Sequence, residues 1–280
     1  MIEGCMLSVV IPSLGGDLCN TLDSINAGSI CPDEIIICLP NDTHSVRDVL
    51  NYKNLTIIYA EQYGQVYQRI VGFKHAKGDY VLQLDDDVIV FPDCLELLIN
   101  TINSTKKSIS VSPCWYDSAD RMPLHKRKQS GFLMSLYYWL VNGNRGYRSG
   151  EVSLAGTNFG INPHEIIDKN VNVDWQPGGC VLHDKNNLIL EDYYPYKGKA
   201  YSEDLIHSYL LKQSGTILVA NTDAICMTHI NPRLQLRKEL VPEYRARKYF
   251  VKLAHLSITR MFVYYVIYVI RSIFVFNRDL

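Results

Sequence analysis

Three consecutive aspartates, Asp85, Asp86 and Asp87, interrupt the apolar segment VLQLDDDVIV (residues 81–90). Adjacent carboxylates repel one another, so gathering them at one point requires a compensating partner. Two carboxylates at positions i and i+2 beyond a strand can share Mg²⁺ or Mn²⁺, which takes its remaining ligands from phosphate oxygens and water. Such a metal neutralises the charge that develops on a departing diphosphate. We therefore predict a divalent metal site at Asp85 and Asp87, with an exposed acidic turn as the alternative interpretation.

A second acidic pair, Glu203-Asp204, opens the segment SEDLIHSYLLKQSG (residues 202–215), whose apolar residues lie on one side of a predicted helix. The helix dipole favours a carboxylate in the first turn, so the pair alone indicates only a helix start, with Ser202 as its cap. The preceding turn WQPGG (residues 175–179) and the absence of a better base favour a general base here.

The other candidate residues are histidines and one tryptophan. His229, beyond a late apolar run, is the one histidine that could supply a third metal ligand, whereas His183 and His207 are expected to be structural or surface residues. Trp175 could stack on a sugar or could be a core aromatic residue at a turn, and the sequence leaves both interpretations open.

The elements that must position these residues alternate along the first ninety residues. Mostly β-branched or aromatic runs predict strands buried on both faces of a parallel sheet, at residues 6–12, 34–40, 55–60 and 80–85. Helix-sized segments lie between them, at residues 17–27, 45–51 and 64–75. This order predicts an open α/β sheet, and such sheets bind ligands beyond the carboxyl ends of their strands, where the aspartates lie.

The composition of the chain changes at Arg233. With 280 residues, 47% hydrophobic and 20% charged, the chain is typical of a globular protein. The net charge of −1 divides into +7 from Arg233 onward, with 10 Lys/Arg and 3 Asp/Glu, and −8 for the rest, with 18 and 26. The apolar run Met261–Phe276 is 16 residues long and is interrupted by Arg271 and Ser272, which is short for a bilayer span of about 20 residues. We expect the basic tail to lie on an anionic membrane surface, or else to pack on the domain or a second subunit.

The cysteines and the N-terminal segment indicate the cellular compartment of the protein. The eight cysteines are scattered without CxxC pairs or metal-binding spacing, which is typical of a reduced cytosolic protein. The opening segment MIEGCMLSVVIP lacks the basic region and the long apolar stretch of a signal peptide. We therefore expect a cytoplasmic location, peripheral on the inner face of the cell membrane.

Five segments together resemble the family 2 glycosyltransferases of the GT-A fold, over roughly the first 230 residues. The segments are LSVVIPSLGG, IIICLPNDTH, GQVYQRIVGFKHAKGDYVLQLDDDV, WQPGG and SEDLIHSYLLKQSG. The resemblance implies an α/β, Rossmann-like open mixed sheet flanked by helices, followed by a C-terminal helical tail that associates with membrane. It implies a glycosyltransferase domain at residues 1–232, with a nucleotide-sugar-binding half at 1–107 and an acceptor-binding half at 108–232, and a tail at 233–280.

The resemblance also implies residue roles in donor binding. Pro12 and Ser13 would line the nucleotide pocket, Asp42 would face the uracil or ribose, and Arg69 would lie beside the base. At residues 39–42 the sequence Leu-Pro-Asn-Asp departs from the acidic doublet that is usual in the family.

Further roles follow for the metal and the acceptor. Asp85 and Asp87 would be the two acids of the DxD motif, with Asp87 as a direct metal ligand. Asp86 is assigned to the donor site, and strand alternation is expected to turn it away from its two neighbours. Asp204 would be the general base. The acceptor-binding residues would be Trp175, Gly178, Gly179 and Glu203.

The resemblance implies an inverting reaction, in which an acceptor hydroxyl attacks the anomeric carbon while the nucleoside diphosphate leaves from the opposite face. It implies a nucleotide-sugar donor, such as a UDP-sugar, with Mn²⁺ or Mg²⁺. The acceptor would be a glycan or a polyprenyl-diphosphate-linked glycan, as in the synthesis of bacterial surface polysaccharides such as O-antigen. No nucleic acid is expected as a partner.

Three other function classes share some of these features. A sugar-phosphate nucleotidyltransferase has a similar sheet, but its glycine-rich loop with Arg and Lys is not matched by PSLGGDLCN. A haloacid-type phosphatase uses DxD after an apolar strand, but its nucleophile follows the first strand rather than the fourth. A non-catalytic membrane adaptor with a transferase-like fold is the third alternative, and the presence of Asp85, Asp87 and Asp204 argues against it.

Overall fold

A single mixed sheet carries the aspartate triplet in the computed structural model, which describes residues 5–41, 52–125, 131–143, 146–229 and 236–276. The chain divides into two compact units. The first unit contains Met1–Leu124 and Asn162–Ile230, and the second contains His125–Ile161 and Asn231–Leu280.

The helices and strands follow one another along the chain as follows. They are β1 (Leu7–Pro12), α1 (Cys19–Asn26), β2 (Glu34–Pro40), β3 (Leu55–Ala60), α2 (Gln65–His75), β4 (Tyr80–Leu84), β5 (Ile89–Val90), α3 (Cys94–Asn103), β6 (Ile109–Asp117), α4 (Phe132–Asn142), β7 (Asn170–Asn172), β8 (Cys180–Asp184), α5 (Glu203–Gln213), β9 (Ile217–Thr228), α6 (Leu236–Leu253) and α7 (Ile258–Phe276). The four early strands were predicted to within one residue, whereas the predicted helix at 45–51 lies outside the described residues.

The sheet of the first unit has the strand order β3-β2-β1-β4-β8-β6-β9-β5, and β7 pairs with β9. Strands β1 to β4 are mutually parallel, whereas β8 runs antiparallel to both β4 and β6. The predicted open mixed α/β sheet is therefore confirmed. The carboxyl ends of β1 and β4 lie side by side, which brings the loop after Pro12 next to the aspartates after Leu84.

Helices cover both faces of β1, β2 and β4, which explains why most residues of these strands are apolar and buried. Strand β3, at the edge of the sheet, is partly exposed and so departs from the expected burial on both faces. Val9 and Ile11 of β1 face a core shared with α1 and α3. The residue between them, Val10, faces the opposite core with Phe73 and Ala76 at the end of α2. Successive strand residues point to opposite faces, so a strand buried on both sides needs an apolar residue at nearly every position.

Strand β9 has an irregularity in its pairing to β6. Pro113 pairs with Asn221 and the next residue, Cys114, pairs with Ile225. The Asn221 side chain accepts hydrogen bonds from the amides of Asp223 (2.9 Å) and Ala224 (3.0 Å), and so satisfies backbone donors that leave the ladder.

The second unit consists of α4, the loop that follows it, and the C-terminal helices α6 and α7. Its core includes Tyr138, Val141, Ala155 and Phe159. Gly156 has a φ of +72°, a backbone conformation that favours glycine. A Cβ there would also lie 2.4 Å from a methyl carbon of Val251 in α6, so both the backbone and the packing require glycine.

The described part of the predicted tail thus forms helices α6 and α7, and α7 packs on both α4 and α6. The predicted boundaries at 107/108 and 232/233 are functional divisions and remain predictions. Among the described residues, no helix is long and apolar enough to cross a membrane.

Candidate active site

A cavity of about 430 Å³ opens in the first unit, at the carboxyl edge of the parallel strands. It is lined by residues from β1, α2, the aspartate triplet and a later loop: Pro12, Ser13, Leu14, Tyr63, Gln65, Gln68, Asp85, Asp86, Asp87, Gly198 and Lys199. Its volume is in the range of small-molecule sites. The predicted pocket residues Pro12 and Ser13 therefore lie beside the predicted metal-binding aspartates.

The three aspartates diverge in their contacts. The Asp85 amide donates to the carbonyl of Gly179 (2.9 Å). The Ser13 hydroxyl donates to Asp86 Oδ2 (2.5 Å), whereas Asp87 is exposed. The expectation that alternation turns Asp86 away is wrong, because Asp86 and Asp87 form a turn and all three side chains line the same cavity.

Arg69 lies beneath the cavity rather than beside a nucleotide base. Its side chain is 1% exposed, and it donates to Glu203 Oε1 (2.7 Å) and to Asp85 Oδ1 (3.3 Å). The predicted contact with the base is therefore wrong, because a buried guanidinium requires charged partners and finds them in these two carboxylates. Burial alone would lower the pKa of Arg69, but Glu203 and Asp85 outweigh that effect and hold the pKa above its ordinary value.

Burial raises the pKa of Asp85 to about 6. The charge of Arg69 opposes that shift, whereas the nearby carboxylates Glu203 and Asp87 add to it. Burial also raises the pKa of Asp86, against the hydrogen bond from Ser13. A cation placed among these groups would favour their ionised forms.

The acidic pair at the start of α5 separates into two environments. Glu203 is 4% exposed, and its Oε1 accepts from Arg69 and from the hydroxyl of Tyr193. Asp204 is half-buried, and its Oδ1 accepts from the Leu205 amide (2.9 Å). Ser202 occupies the cap position with a φ of +51°, but its hydroxyl makes no cap hydrogen bond, so the predicted side-chain cap is wrong.

The paired glycines of the WQPGG turn bring the two acidic groups together. A Cβ on Gly178 would lie 2.9 Å from Glu203 Oε2, and a Cβ on Gly179 would lie 2.9 Å from Asp85 Oδ2. The Gln83 amide nitrogen donates to the Gly178 carbonyl and so holds the turn against β4. Only residues without a side chain fit between the triplet and the start of α5.

Trp175, at the start of the same turn, is only 5% exposed. A stacked sugar needs an accessible ring face, so the prediction of a stacking role is wrong and the core interpretation holds. The adjacent Gln176 is buried, and its side-chain amide donates to the carbonyls of Ser110 (3.0 Å) and Val219 (2.8 Å). The turn is thus fixed to the sheet by its first two residues.

The two central histidines are buried behind the acidic pair. The His207 ring stacks on Tyr193 at a centroid distance of 5.6 Å, and His183 is fully buried against His207 and Phe73. Burial lowers the pKa of His207 to about 3, and the charge of Arg69 acts in the same direction. These neutral rings are structural, in agreement with the sequence-based expectation.

Sequence reasoning missed several cavity residues. Gln68 is buried and donates to the carbonyls of Ser13 (2.7 Å) and Cys38 (2.8 Å), and Gln65 donates to Asp85 Oδ1 (3.2 Å). Their spacing with Arg69 on one helix face was a usable signal. Lys199 comes from a distant loop whose Gly198 bridges Gly64, and nothing local marks it.

The remaining predicted ligands are less constrained. His229 is exposed and follows Thr228, whose hydroxyl lies 3.4 Å from Asp87 Oδ2. Asp42 lies outside the described residues. Within the described ranges no three His, Cys, Asp or Glu side chains converge as a complete metal site. One or two carboxylates with phosphate oxygens and water still fit Mg²⁺ or Mn²⁺, so the third-ligand role of His229 stays a prediction.

We predict that Arg69→Met destabilises the protein by about 3–5 kcal/mol, because it leaves the buried Glu203 and the half-buried Asp85 without their cation. Denaturant unfolding measures the change. The matched control is Lys169→Met, which removes the cation from the exposed pair with Asp223 and is expected to leave the unfolding midpoint unchanged. Similar midpoints for both variants would show that the buried bridge does not stabilise the fold.

Comparisons with known proteins agree with this geometry. The family described as "Glycosyl transferase family 2" matches residues 8–163, more than half of the chain. No curated protein matches the chain in sequence.

Solved structures match the fold. GalNAc-T7 with UDP, GalNAc and Mn²⁺ aligns with a TM-score of 0.58 at 18% identity, over 82% of this chain and 44% of that one. The mannosyltransferase PcManGT from Pyrobaculum calidifontis, in complex with GDP-Man and Mn²⁺, has a TM-score of 0.58 at 14% identity, over 91% and 66%. S. aureus TarS 1–349 in complex with UDP-GlcNAc has 0.55 at 15%, over 88% and 65%.

These likenesses show the GT-A fold, and this chain spans less than two thirds of the length of each of the three proteins. The sequence match supplies the family. With its aspartate triplet at the carboxyl edge of a GT-A sheet, the chain belongs to glycosyl transferase family 2.

Proposed function

We propose that this protein is a metal-dependent, inverting glycosyltransferase that moves a sugar from a nucleotide-sugar, such as a UDP-sugar, to an acceptor hydroxyl. The observation that carries the proposal is one cavity lined by Ser13 and the three aspartates, with Gly179 packed against Asp85 and Gly178 packed against Glu203 at the start of α5. The three similar structures support it, since their bound ligands include UDP, GDP-Man and UDP-GlcNAc.

The cavity supplies groups for a nucleoside diphosphate and its metal. Asp87 is exposed in the cavity and Asp85 lies beside it, so these two carboxylates would hold Mn²⁺ or Mg²⁺. When bound, the cation supplies electrostatic stabilisation of the departing diphosphate. Lys199 adds a cationic side chain to the cavity wall, where it would contact the phosphates. Pro12 and Ser13 would face the nucleoside.

The general base of the proposed reaction is Asp204. Glu203 is buried, and its Oε1 already accepts hydrogen bonds from Arg69 and Tyr193, so this carboxylate is engaged within the protein. Asp204 is the more exposed of the two carboxylates and follows directly in the chain. It would take the proton of the acceptor hydroxyl as that oxygen attacks the anomeric carbon, and direct attack inverts the configuration.

The proposal extends to the acceptor and its setting. We infer a glycan or polyprenyl-diphosphate-linked acceptor, in the synthesis of a bacterial surface polysaccharide such as O-antigen. The free cysteines of the described residues and the basic tail support a site at the inner face of the cell membrane.

For the metal, we predict that Asp87→Asn abolishes transfer and weakens metal-dependent UDP binding, because an amide is a poor ligand for a hard cation. Asp86→Asn is the matched control. An amide oxygen still accepts the hydrogen bond from Ser13, so a much smaller loss is expected. Calorimetric titration of UDP with and without Mn²⁺ measures both, and equal losses would contradict the assignment of Asp87.

For the base, we predict that Asp204→Asn lowers kcat by about 10²–10⁴ with nearly unchanged donor affinity, because the amide keeps the shape but accepts no proton. Glu203→Gln is expected to lower the unfolding midpoint more than Asp204→Asn does, since it weakens the bridge to Arg69. Steady-state kinetics and unfolding separate the two. If Asp204→Asn retains turnover and Glu203→Gln loses it with an unchanged midpoint, the two roles are exchanged.

For the phosphates, we predict that Lys199→Met weakens UDP binding by roughly tenfold and leaves uridine binding unchanged, because only the diphosphate carries charge for the ammonium to contact. Lys197→Met removes an exposed cation that does not line the cavity, and it serves as the control. A parallel loss of uridine affinity at Lys199→Met would assign the lysine to the nucleoside instead.

A further inference from the structure

Helix α4 of the second unit exposes an apolar face. Phe132 is 84% exposed and Leu133 is 78% exposed, and Leu136 and Trp139 continue the exposed stripe one turn apart. The opposite side of the helix carries the buried Tyr138 and Val141. A helix that packs on a protein core through one face normally presents polar residues on the other, so this second apolar face indicates a further binding surface.

Helix α7 repeats this pattern at four-residue intervals. Its exposed large apolar residues are Ile258, Phe262, Val266 and Ile270. Other positions of the helix face inward, since Met261 is buried and the Tyr265 hydroxyl donates to the Leu240 carbonyl of α6. The exposed stripe of α7 is thus distinct from the surface that packs on α6.

The two helices are joined by Arg260 at the start of α7. Its Nη1 donates to the carbonyls of Trp139 (2.9 Å) and Leu140 (2.7 Å) near the end of α4, where the Trp139 carbonyl also accepts from the Gly143 amide (2.8 Å). The guanidinium also lies 5.9 Å from the centre of the Trp139 ring. These contacts fix α4 to α7, so their exposed stripes belong to adjoining helices of one unit.

The second unit differs from the first in net charge. The second unit has 15 Lys/Arg and 4 Asp/Glu, a formal charge of +11, whereas the first has 13 and 25, or −12. Three of the basic residues, Lys126, Arg127 and Lys128, lie shortly before α4 in the sequence. A partner for the apolar stripes must therefore tolerate a strongly positive neighbourhood.

We propose that α4 and α7 together form a docking surface for an anionic lipid bilayer, called here the α4–α7 surface. Aromatic and aliphatic side chains enter the boundary of the acyl region while basic residues meet the headgroups. A second copy that docked through the same surface would bring another +11 against the first, which disfavours a symmetric dimer. This surface adds α4 to the predicted tail, and its existence does not depend on the proposed transfer reaction.

Vesicle co-sedimentation of the 280-residue chain tests the proposal. The chain is expected to bind vesicles of phosphatidylcholine with phosphatidylglycerol, to bind vesicles of phosphatidylcholine alone much less, and to lose affinity as salt is added. The double variant Phe132→Ser/Leu133→Ser is expected to weaken binding by on the order of tenfold or more, because two exposed apolar side chains are removed from the contact. The control Ile167→Ser removes a fully exposed apolar residue of the first unit and should bind normally.

Tryptophan fluorescence gives a second readout at α4 itself. Trp115 and Trp175 are 9% and 5% exposed, whereas Trp139 is 51% exposed, so a change of solvent at the surface is reported by Trp139. We expect a blue shift on addition of anionic vesicles, and we expect Trp139→Phe to remove that shift while most of the vesicle binding remains.

Three outcomes would overturn the proposal. They are equal binding of the double variant and the control, the absence of a Trp139 shift on bound vesicles, and a dimer in light scattering that the double variant dissociates. UDP release from a UDP-sugar in solution is measured on the same samples. Because that assay needs no membrane, a failure of the α4–α7 surface and a failure of the proposed transferase activity are distinguishable.

Discussion

The guanidinium of Arg69 is buried between two carboxylates that are remote in sequence, Asp85 at the end of β4 and Glu203 at the start of α5. A cation in this position compensates the negative charge of the buried Glu203 and the half-buried Asp85. The bridge couples the loop that would hold the metal to the helix that would hold the base. The bridge also gives the two acids different environments. Glu203 is buried and accepts from Arg69 and Tyr193, whereas Asp204 is half-buried.

The bridge is possible only because the intervening turn has no side chains. Gly178 and Gly179 pass between Asp85 and Glu203 at distances where a Cβ would meet a carboxylate oxygen. The Gln83 side chain donates to the Gly178 carbonyl, and the Gln176 side chain donates to the Ser110 carbonyl. These hydrogen bonds hold the glycine turn in a fixed position. Small residues and buried amides thus keep two acidic groups close without adding further charge. Such fixed polar groups suit a site where charge develops during reaction.

The two units differ in net charge and in the apolar side chains that they expose. The first is acidic overall and carries its carboxylates at a polar cavity, whereas the second is basic and exposes aromatic and aliphatic stripes. Electrostatic attraction to anionic lipid and burial of apolar side chains act together at such a surface, and neither alone gives firm binding. A transferase whose acceptor is lipid-linked gains local concentration from such docking.

The sequence by itself determined the four early strands, the helices α1, α2 and α5 and the position of the aspartates, because these follow from local periodicity and from the rule that parallel strands end at one edge. It also indicated the family through the order of five segments. Only the tertiary structure decided that Arg69 pairs with Glu203, that Trp175 is buried, and that Lys199 reaches the cavity. Periodicity shows which side of an element is apolar, but it does not show that Glu203, 134 positions away, opposes the charge of Arg69. That contact depends on the path of the whole chain, and so does the pairing of α4 with α7.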